Sequence, residues 1–199
     1  MKNKLVNGPK VLGLDVSSST IGWALFDIQN KDLLELTHVS PVVKQITESK
    51  IEELILKAEI FKTKLENYVD IGITKVIIEE PLLNSNNINT VGILLRFNSF
   101  VTKIIYDVLG IVPEFISTYN SRKYAFPELV QPNDKGKFVL FGGLPRDIDK
   151  KRIIWELVAK REPQITWLYN KKNLIKKECY DMSDAYACVL GRMHELKIW

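Results

Sequence analysis

The amino-acid sequence predicts an α/β fold in which a mixed five-stranded sheet is flanked by helices. The first forty residues contain three short apolar runs separated by turn-forming residues, which is typical of consecutive antiparallel strands. After them the apolar spacing alternates between helical and extended segments, and the chain ends in helices. Three antiparallel strands followed by a β-α-β unit form a mixed sheet with helices packed on it.

Three strands are predicted at the start of the chain. Lys10–Val16 is a short, almost wholly apolar run, too brief for a helix. Ile21–Ile28 follows a serine-rich turn, and Leu33–Val39 follows the turn-forming sequence Asn-Lys-Asp. These segments predict two hairpins in succession.

The middle of the chain alternates between helix and strand. Apolar residues recur every three or four positions from Ile51 to Tyr68, which predicts an amphipathic helix of about five turns. A strand is predicted at Thr74–Glu80, where a proline follows it, and a second helix from about Ile88 to Leu109. Glu114–Tyr119 is predicted to be the fifth strand.

The last third of the chain is predicted to contain a long loop and two helices. The segment Phe126–Pro145 holds three prolines and three glycines, so we expect a loop from about residue 126 to 148. Asp149 is suited to capping a helix that runs to about Arg161. A final helix is predicted at Met182–Leu196.

The composition favours one ordered domain that spans residues 1–199. With 199 residues, 46% of them hydrophobic, the chain can bury one substantial core. No apolar run approaches the roughly 20 residues needed to cross a bilayer, so we expect a soluble cytoplasmic protein. The two cysteines, Cys179 and Cys188, fit no zinc-binding spacing and are expected to be structural.

Positive charge is concentrated in one part of the sequence. From Ser121 to Lys177 there are 14 Lys or Arg against 6 Asp or Glu, a net charge of +8. The rest of the chain has 14 against 18, a net charge of −4. An acidic body with a basic segment suggests a polyanionic partner, although a lysine-rich solvated surface would give the same pattern.

Several carboxylates lie where apolar runs meet loops. Asp15 interrupts the first apolar strand, and Glu79 and Glu80 end the fourth; adjacent strand residues face opposite ways, so at most one glutamate can lie near Asp15. Asp181 and Asp184 are spaced to share one face of a helix. Each has a simpler explanation, namely a turn, a solvated strand end or a helix cap.

Taken together, the carboxylates predict a metal site. Several converging acids repel one another unless divalent cations neutralise them, and oxygen-only ligands suit Mg²⁺ or Mn²⁺. Two such ions about 4 Å apart can activate water and stabilise the leaving oxygen of a phosphodiester. The two histidines, His38 and His194, form no competing cluster in the sequence.

Three segments resemble the RuvC family of Holliday-junction resolvases, which are ribonuclease H-like nucleases. They are GLDVSSSTIGWAL, VIIEE and YDMSDAYA. The resemblance implies a ribonuclease H-like fold, a homodimer acting on branched DNA, and a hydrolase that holds two Mg²⁺ ions, with Mn²⁺ as a substitute. It also implies that the catalytic and metal-binding residues are Asp15, Glu79, Asp181 and Asp184. The family's glutamate directly follows the apolar run, which favours Glu79 over Glu80.

The resemblance also implies a DNA-binding surface. Relatives carry cations after the fifth strand and at the start of the next helix, where they hold the DNA backbone without reading its sequence. The corresponding residues here are Arg122, Lys123, Lys150, Lys151 and Arg152. A further cluster, Lys171, Lys172, Lys176 and Lys177, is explained equally well as a solvated linker or as a DNA contact.

The sequence departs from bacterial RuvC proteins in two ways. The residues after the strand-four glutamates, Pro81 to Asn84, lack the family's aromatic wedge, and the loop from Phe126 to Arg146 is longer. Both features resemble bacteriophage-encoded relatives, which would act in the host bacterial cytoplasm. We therefore expect action on forks and three-way junctions as well as four-way junctions.

Two alternatives remain open from the sequence. One is a non-catalytic junction-binding protein on the same fold, although retention of all four acids argues against it. The other is an ATP-using protein of the actin, Hsp70 and sugar-kinase group, whose phosphate loop resembles GLDVSSS. Such proteins need a second glycine-rich phosphate hairpin, which this sequence lacks.

Overall fold

A mixed five-stranded sheet forms the centre of the protein. The computed structural model describes residues 8–81, 87–145 and 147–199. The sheet strands are β1 (Lys10–Val16), β2 (Ile21–Asp27), β3 (Leu33–Val39), β4 (Ile73–Glu79) and β5 (Glu114–Ile116). Their order is β3-β2-β1-β4-β5, with the first three antiparallel and β4 and β5 parallel to β1. The predicted mixed sheet is confirmed.

Within the described ranges, five helices cover the two faces of this sheet. They are α1 (Lys50–Glu66), α2 (Ile88–Leu109), α3 (Thr118–Ala125), α4 (Lys150–Arg161) and α5 (Lys177–Glu195). Apolar residues of α1 and α2 pack in one core, on one face of the sheet. Those of α3, α4 and α5 pack in a second core, on the other face. Both cores are needed because strands β1 and β2 are buried on both sides.

Side-chain caps explain where several helices begin. The Ser49 side chain accepts a hydrogen bond from the Glu52 N–H and begins α1. The Asp149 side chain accepts from the Arg152 N–H and begins α4, as the sequence predicts. The left-handed backbone of Gly110, at φ 69°, ends α2.

The region after β5 differs from the prediction. The strand ends at Ile116 instead of Tyr119, and α3 follows at once. The reason is Ser117, whose side chain accepts from the Asn120 N–H and so begins a helix. This eight-residue helix is polar and rich in tyrosine, so its apolar periodicity is too weak to predict it.

The predicted loop and last helix also need correction. Between residues 126 and 148 the chain contains a 3-10 turn at Pro127–Leu129 and a small hairpin, β6 (Val130–Pro132) and β7 (Phe138–Leu140). The last helix begins at Lys177, five residues before the predicted Met182. Its first turn is polar and charged, and apolar spacing alone therefore misses it.

Helix α2 is the one described helix with the length and composition of a membrane span. Its mean hydropathy reaches 1.2, and 28% of the qualifying window is buried, so the sequence expectation of no such segment was too strict. Its residues Phe97, Val101 and Ile105 pack in the core with α1. A core helix of a soluble protein passes the same test.

Candidate active site

Two of the predicted carboxylates lie on neighbouring parallel strands. In the register between β1 and β4, Leu14 pairs with Ile78. The next residue on each strand is therefore Asp15 on β1 and Glu79 on β4. Parallel pairing brings the carboxyl ends of the two strands to the same edge, and it carries both acids there.

Strand alternation decides which glutamate accompanies Asp15. Val11 of β1 and Ile77 of β4 pack in the core beneath α5. Side chains two or four positions along a strand share a face, so Asp15 and Glu79 lie on the α5 face. Glu80 lies on the opposite face, where it lines a groove beside α2.

Helix α5 approaches the sheet closely enough to add its own acids. A β-carbon at Gly22 would lie 2.0 Å from the carbonyl oxygen of Asp181, and one at Gly13 would lie 2.4 Å from that of Ala185. Only glycine fits at these two strand positions, because any larger residue would push the helix away. The close packing places the buried side chain of Asp184 over the ends of β1 and β4.

Three carboxylates meet at this point. One carboxylate oxygen each from Asp15, Glu79 and Asp184 lies within 4.8 Å of the other two. Asp181, one turn earlier on α5, is outside this group of three and keeps 15% of its side chain exposed, against 4% for Asp184. The structure therefore gathers three of the four predicted acids and places the fourth at the rim.

Burial and neighbouring charges raise the pKa of Asp15, Glu79 and Asp181. Burial, followed by the charge on Glu79, raises the pKa of Asp15 well above its ordinary value. Burial, followed by the charge on Asp184, raises the pKa of Glu79 to about 7. The pKa of Asp181 is raised to about 6 by burial, with Lys151 acting in the opposite direction. A divalent cation would reverse these effects by stabilising the ionised forms.

Two cations contact the deeper acid of α5. The Arg122 guanidinium donates from Nη2 at 2.8 Å and from Nε at 3.2 Å to the same Oδ1 of Asp184. Lys151 Nζ lies 3.4 Å from Oδ2 of Asp184 and 3.8 Å from Oδ1 of Asp181. Arg122 is buried, whereas Lys151 keeps 51% of its side chain exposed. Arg122 was predicted as a DNA contact, but it lies inside the protein, paired with a carboxylate.

The other predicted DNA-binding cations lie nearer the surface. The Lys123 ammonium sits 5.3 Å from the centre of the Tyr124 ring. Lys150 is exposed, with its ammonium 5.7 Å from the centre of the Phe141 ring, and Arg152 is paired with Glu156 at 2.9 Å.

One member of the predicted lysine cluster, the first residue of α5, lies beside the turn that follows β1. Lys177 Nζ is 3.4 Å from Ser19 Oγ, and Lys171, Lys172 and Lys176 are exposed. The turn begins two residues after Asp15, so Lys177 lies near the strand end that carries the acid.

Two contributors to the site were missed in the sequence. Glycines inside a buried strand mark a place where another backbone approaches, so Gly13 and Gly22 carried a usable signal. The pairing of Arg122 with Asp184 joins residues 62 positions apart and had no local signal.

Comparison with known proteins identifies the fold. No family model and no curated protein matches the sequence. Thermus thermophilus RuvC, solved in complex with a Holliday junction substrate, is 10% identical and superposes with a TM-score of 0.59 over 95% of both chains. A second structure of that RuvC is 13% identical, with a TM-score of 0.54 over 95% of this chain and 96% of the other.

The yeast mitochondrial Holliday junction resolvase gives a similar result. It is 12% identical and superposes with a TM-score of 0.61 over 94% of this chain and 79% of its own. Both proteins match nearly the whole of this chain at low identity, so they bear on its fold. This chain has the ribonuclease H-like fold of the RuvC-type Holliday junction resolvases.

Proposed function

We propose that this chain is a metal-dependent endonuclease that nicks Holliday junctions and other branched DNA. The observation that carries the proposal is the group of carboxylates from Asp15, Glu79 and Asp184, whose oxygens lie within 4.8 Å of one another. The group sits on a fold shared with T. thermophilus RuvC, which has been solved with a Holliday junction substrate.

The donor set fits a hard divalent cation. Carboxylates this close repel one another, as the raised pKa values of Asp15 and Glu79 indicate, and a cation removes that repulsion. Oxygen donors suit Mg²⁺, with Mn²⁺ as a substitute. We propose that Asp181 joins the other three acids in holding two ions. When bound, such ions activate a water for attack on the phosphodiester and stabilise its leaving oxygen.

The protein's own cations have separate tasks in this proposal. Lys151 is half exposed beside the acids, so its ammonium can meet the scissile phosphate and stabilise the charge that develops on it. Arg122 is buried behind Asp184 and bonds only one of its two oxygens. Arg122 is therefore a positioning residue that fixes Asp184 and leaves the other oxygen clear of the guanidinium.

Surface lysines and arginines next to the acids would hold the DNA backbone. Lys150 and Arg152 are the exposed chain neighbours of Lys151 at the start of α4, and Lys123 follows Arg122 on α3. Lys177 lies by the turn after β1. Contacts of this kind position a duplex without reading its sequence. This agrees with an enzyme that selects branched DNA by its shape.

A homodimer is part of the proposal. Helix α2 leaves Ile88 83% exposed, Leu95 42% exposed and Tyr106 54% exposed, and the last two line a groove of about 670 Å³. An apolar surface of this kind suits a second copy of the chain, since a symmetric contact would bury the same surface on both copies. Two copies would present two active sites to one junction.

Nicking assays test the function directly. Purified protein is incubated with an end-labelled four-way junction, a fork or a linear duplex, in Mg²⁺ or EDTA. We expect nicking of the branched substrates in Mg²⁺ alone, lost in Asp15→Asn, which should still bind the junction. The control is Asp70→Asn, which changes an exposed acid just before β4, at the end of the strand opposite to Glu79, and should cut normally.

The other outcomes separate the alternatives. Junction binding without cutting in any metal would indicate a non-catalytic binding protein. ATP hydrolysis with no effect on DNA would indicate the nucleotide-using class. Cutting confined to four-way junctions would contradict the broader specificity proposed for branched DNA.

A further inference from the structure

The hairpin formed by β6 and β7 is an ordered structure on the α5 side of the molecule. Val130 pairs with Leu140 and Pro132 with Phe138. At its tip, Asn133 Oδ1 accepts hydrogen bonds from the N–H groups of Lys135 and Lys137, each at 3.0 Å. Strand pairing and this capped turn fix the shape of the tip.

The base of the hairpin is anchored in the protein core. Leu129, just before β6, and Phe141, just after β7, pack against the core beneath α5. A β-carbon at Gly142 would lie 1.9 Å from the carbonyl oxygen of Gln131, so the two sides of the hairpin close tightly on each other. The tip is therefore held in a defined position relative to α5.

Phe138 stands out on this hairpin. It is 71% exposed, more than any other aromatic residue in the described ranges 8–81, 87–145 and 147–199. One exposed apolar residue is ordinary on a protein surface. Here, however, Phe138 is the first residue of β7, and the turn before it carries two exposed lysines, Lys135 and Lys137, against one acid, Asp134.

The base of the hairpin lies near the start of α4, the helix that also brings Lys151 to the carboxylates. Lys150 Nζ lies 5.7 Å from the centre of the Phe141 ring at the hairpin's base. The next residue, Lys151, reaches Asp184 at 3.4 Å. A DNA strand held at the acids would therefore pass near the base of the hairpin, and Phe138 begins the strand β7 that leads to this base.

We propose that Phe138 stacks on an unpaired or unstacked nucleobase of branched DNA, while Lys135 and Lys137 contact the flanking phosphates. The proposal rests on the branched-DNA function and names how the branch is recognised. Every base offers a π-face, so aromatic stacking tolerates any sequence, and lysines neutralise phosphates without reading bases. In a continuous duplex every base is already stacked on its neighbours. The contact therefore forms only at a branch and favours branched over linear DNA.

Fluorescence of 2-aminopurine tests this contact. The base is placed at the branch of a four-way junction in one substrate and within an arm in another, and the proteins carry Asp15→Asn so that the DNA stays intact. We expect binding to change the branch signal and leave the arm signal nearly unchanged. Phe138→Ala should abolish the branch change and weaken junction binding about tenfold, while linear duplex binding stays within about twofold.

Two further variants make the result specific. Phe138→Trp should restore both the fluorescence change and the affinity, because it keeps an aromatic face. Ile46→Ala removes a fully exposed apolar side chain on the segment after β3 and should behave as the parent protein. Melting temperatures of all variants should agree within a few degrees, because Phe138 and Ile46 make few contacts.

The outcomes distinguish this proposal from the function on which it rests. If the unsubstituted chain nicks branched DNA but Phe138→Ala leaves the branch signal and the affinity unchanged, the hairpin proposal is wrong and the nuclease stands. Equal weakening of junction and linear duplex binding would likewise overturn it, because the residue would then serve general DNA affinity. If the unsubstituted chain neither binds nor nicks branched DNA, both proposals fail together.

Discussion

At the residue scale, a buried arginine stands behind the deepest carboxylate of the site. Replacing Arg122 with Met would leave Asp184 buried without the guanidinium that bonds it, at a cost of about 3 kcal/mol in the free energy of unfolding. Arg122→Lys should recover only part of this, since an ammonium cannot reproduce the paired donations of Nε and Nη2 to Oδ1 of Asp184. Urea unfolding in EDTA measures both values.

The control for this experiment is Arg152→Met. Arg152 is exposed and pairs only with Glu156 across one turn of α4, so its loss should change stability by less than about 0.5 kcal/mol. Equal stability of the Arg122 and Arg152 variants would show that the buried pair does not stabilise the fold.

The acids themselves make stability depend on pH. In the metal-free protein the pKa values of Asp15, Glu79 and Asp181 lie above those of an unfolded chain. The folded state therefore holds these protons more tightly. Its advantage is complete below the unfolded values near 4 and is lost as pH rises through the folded values of about 6 and 7.

Metal-free protein should accordingly melt at a lower temperature at pH 8 than at pH 5. Asp15→Asn removes one of the repelling charges, so it should reduce this difference and melt above the parent at pH 8. Mg²⁺ should raise the melting temperature of the parent most at pH 8, where the ligands are ionised. Scanning calorimetry in EDTA and in Mg²⁺ measures each shift. A parent protein equally stable at both pH values would contradict the raised pKa values.

At the element scale, the contact between α5 and the sheet sets the geometry of the site. Gly22→Ala would place a methyl group 2.0 Å from the Asp181 carbonyl, so α5 must shift and carry Asp184 away from Asp15. We expect this overpacking to lower the free energy of unfolding by about 3 kcal/mol. The nicking rate should fall by a larger fraction than the free energy of unfolding does, because the acids are displaced.

Gly92 in α2 is the matched control. A β-carbon there meets nothing within 4 Å, so Gly92→Ala should stabilise the helix by about 0.5–1 kcal/mol. Urea unfolding and nicking assays compare the two variants. If both alanines stabilise the protein, the close approach of α5 does not limit the residue at position 22.

The elements differ in how well the sequence predicts them, for physical reasons. β1 and α2 were predicted at their observed bounds because a short continuous apolar run and a long helical period are both local patterns. Helix α3 was missed because a serine cap and packing against α5 stabilise it in place of apolar spacing. The sequence predicts a loop where β6 and β7 form a hairpin, because strands of three residues are too short to show an apolar pattern.

At the scale of the whole molecule, the position of Asp15 beside Glu79 could be predicted, and the surroundings of Asp184 could not. Strand order and alternation bring the first two acids together, and both follow from patterns along the chain. The partner of Asp184 is Arg122 of α3, and tertiary packing alone brings the two residues together. Sequence reasoning therefore anticipated that Asp15, Glu79 and Asp184 meet, whereas Asp181 lies outside their group and Arg122 lies buried instead of on the surface. The catalytic role of these acids stays a prediction.

The assembly of two copies is tested through the apolar face of α2. Leu95→Glu puts a charge on this face, which would be desolvated in a dimer, so it should shift the protein to monomer in sedimentation at micromolar concentration. Leu95 is exposed, so the variant should keep the melting temperature of the parent. Ile46→Glu, on another exposed surface, is the matched control and should sediment as the parent does.

Cleavage of a junction reports the same assembly independently. A dimer can nick both strands of one junction within a single binding event, whereas a monomer nicks one and must rebind. On a cruciform plasmid, the parent should therefore produce linear DNA directly, and Leu95→Glu should accumulate the singly nicked circle, at equal single-nick rates. If the parent protein sediments as a monomer and still linearises the plasmid in one binding event, dimerisation through α2 is wrong. The second cut would then come from some other arrangement of active sites.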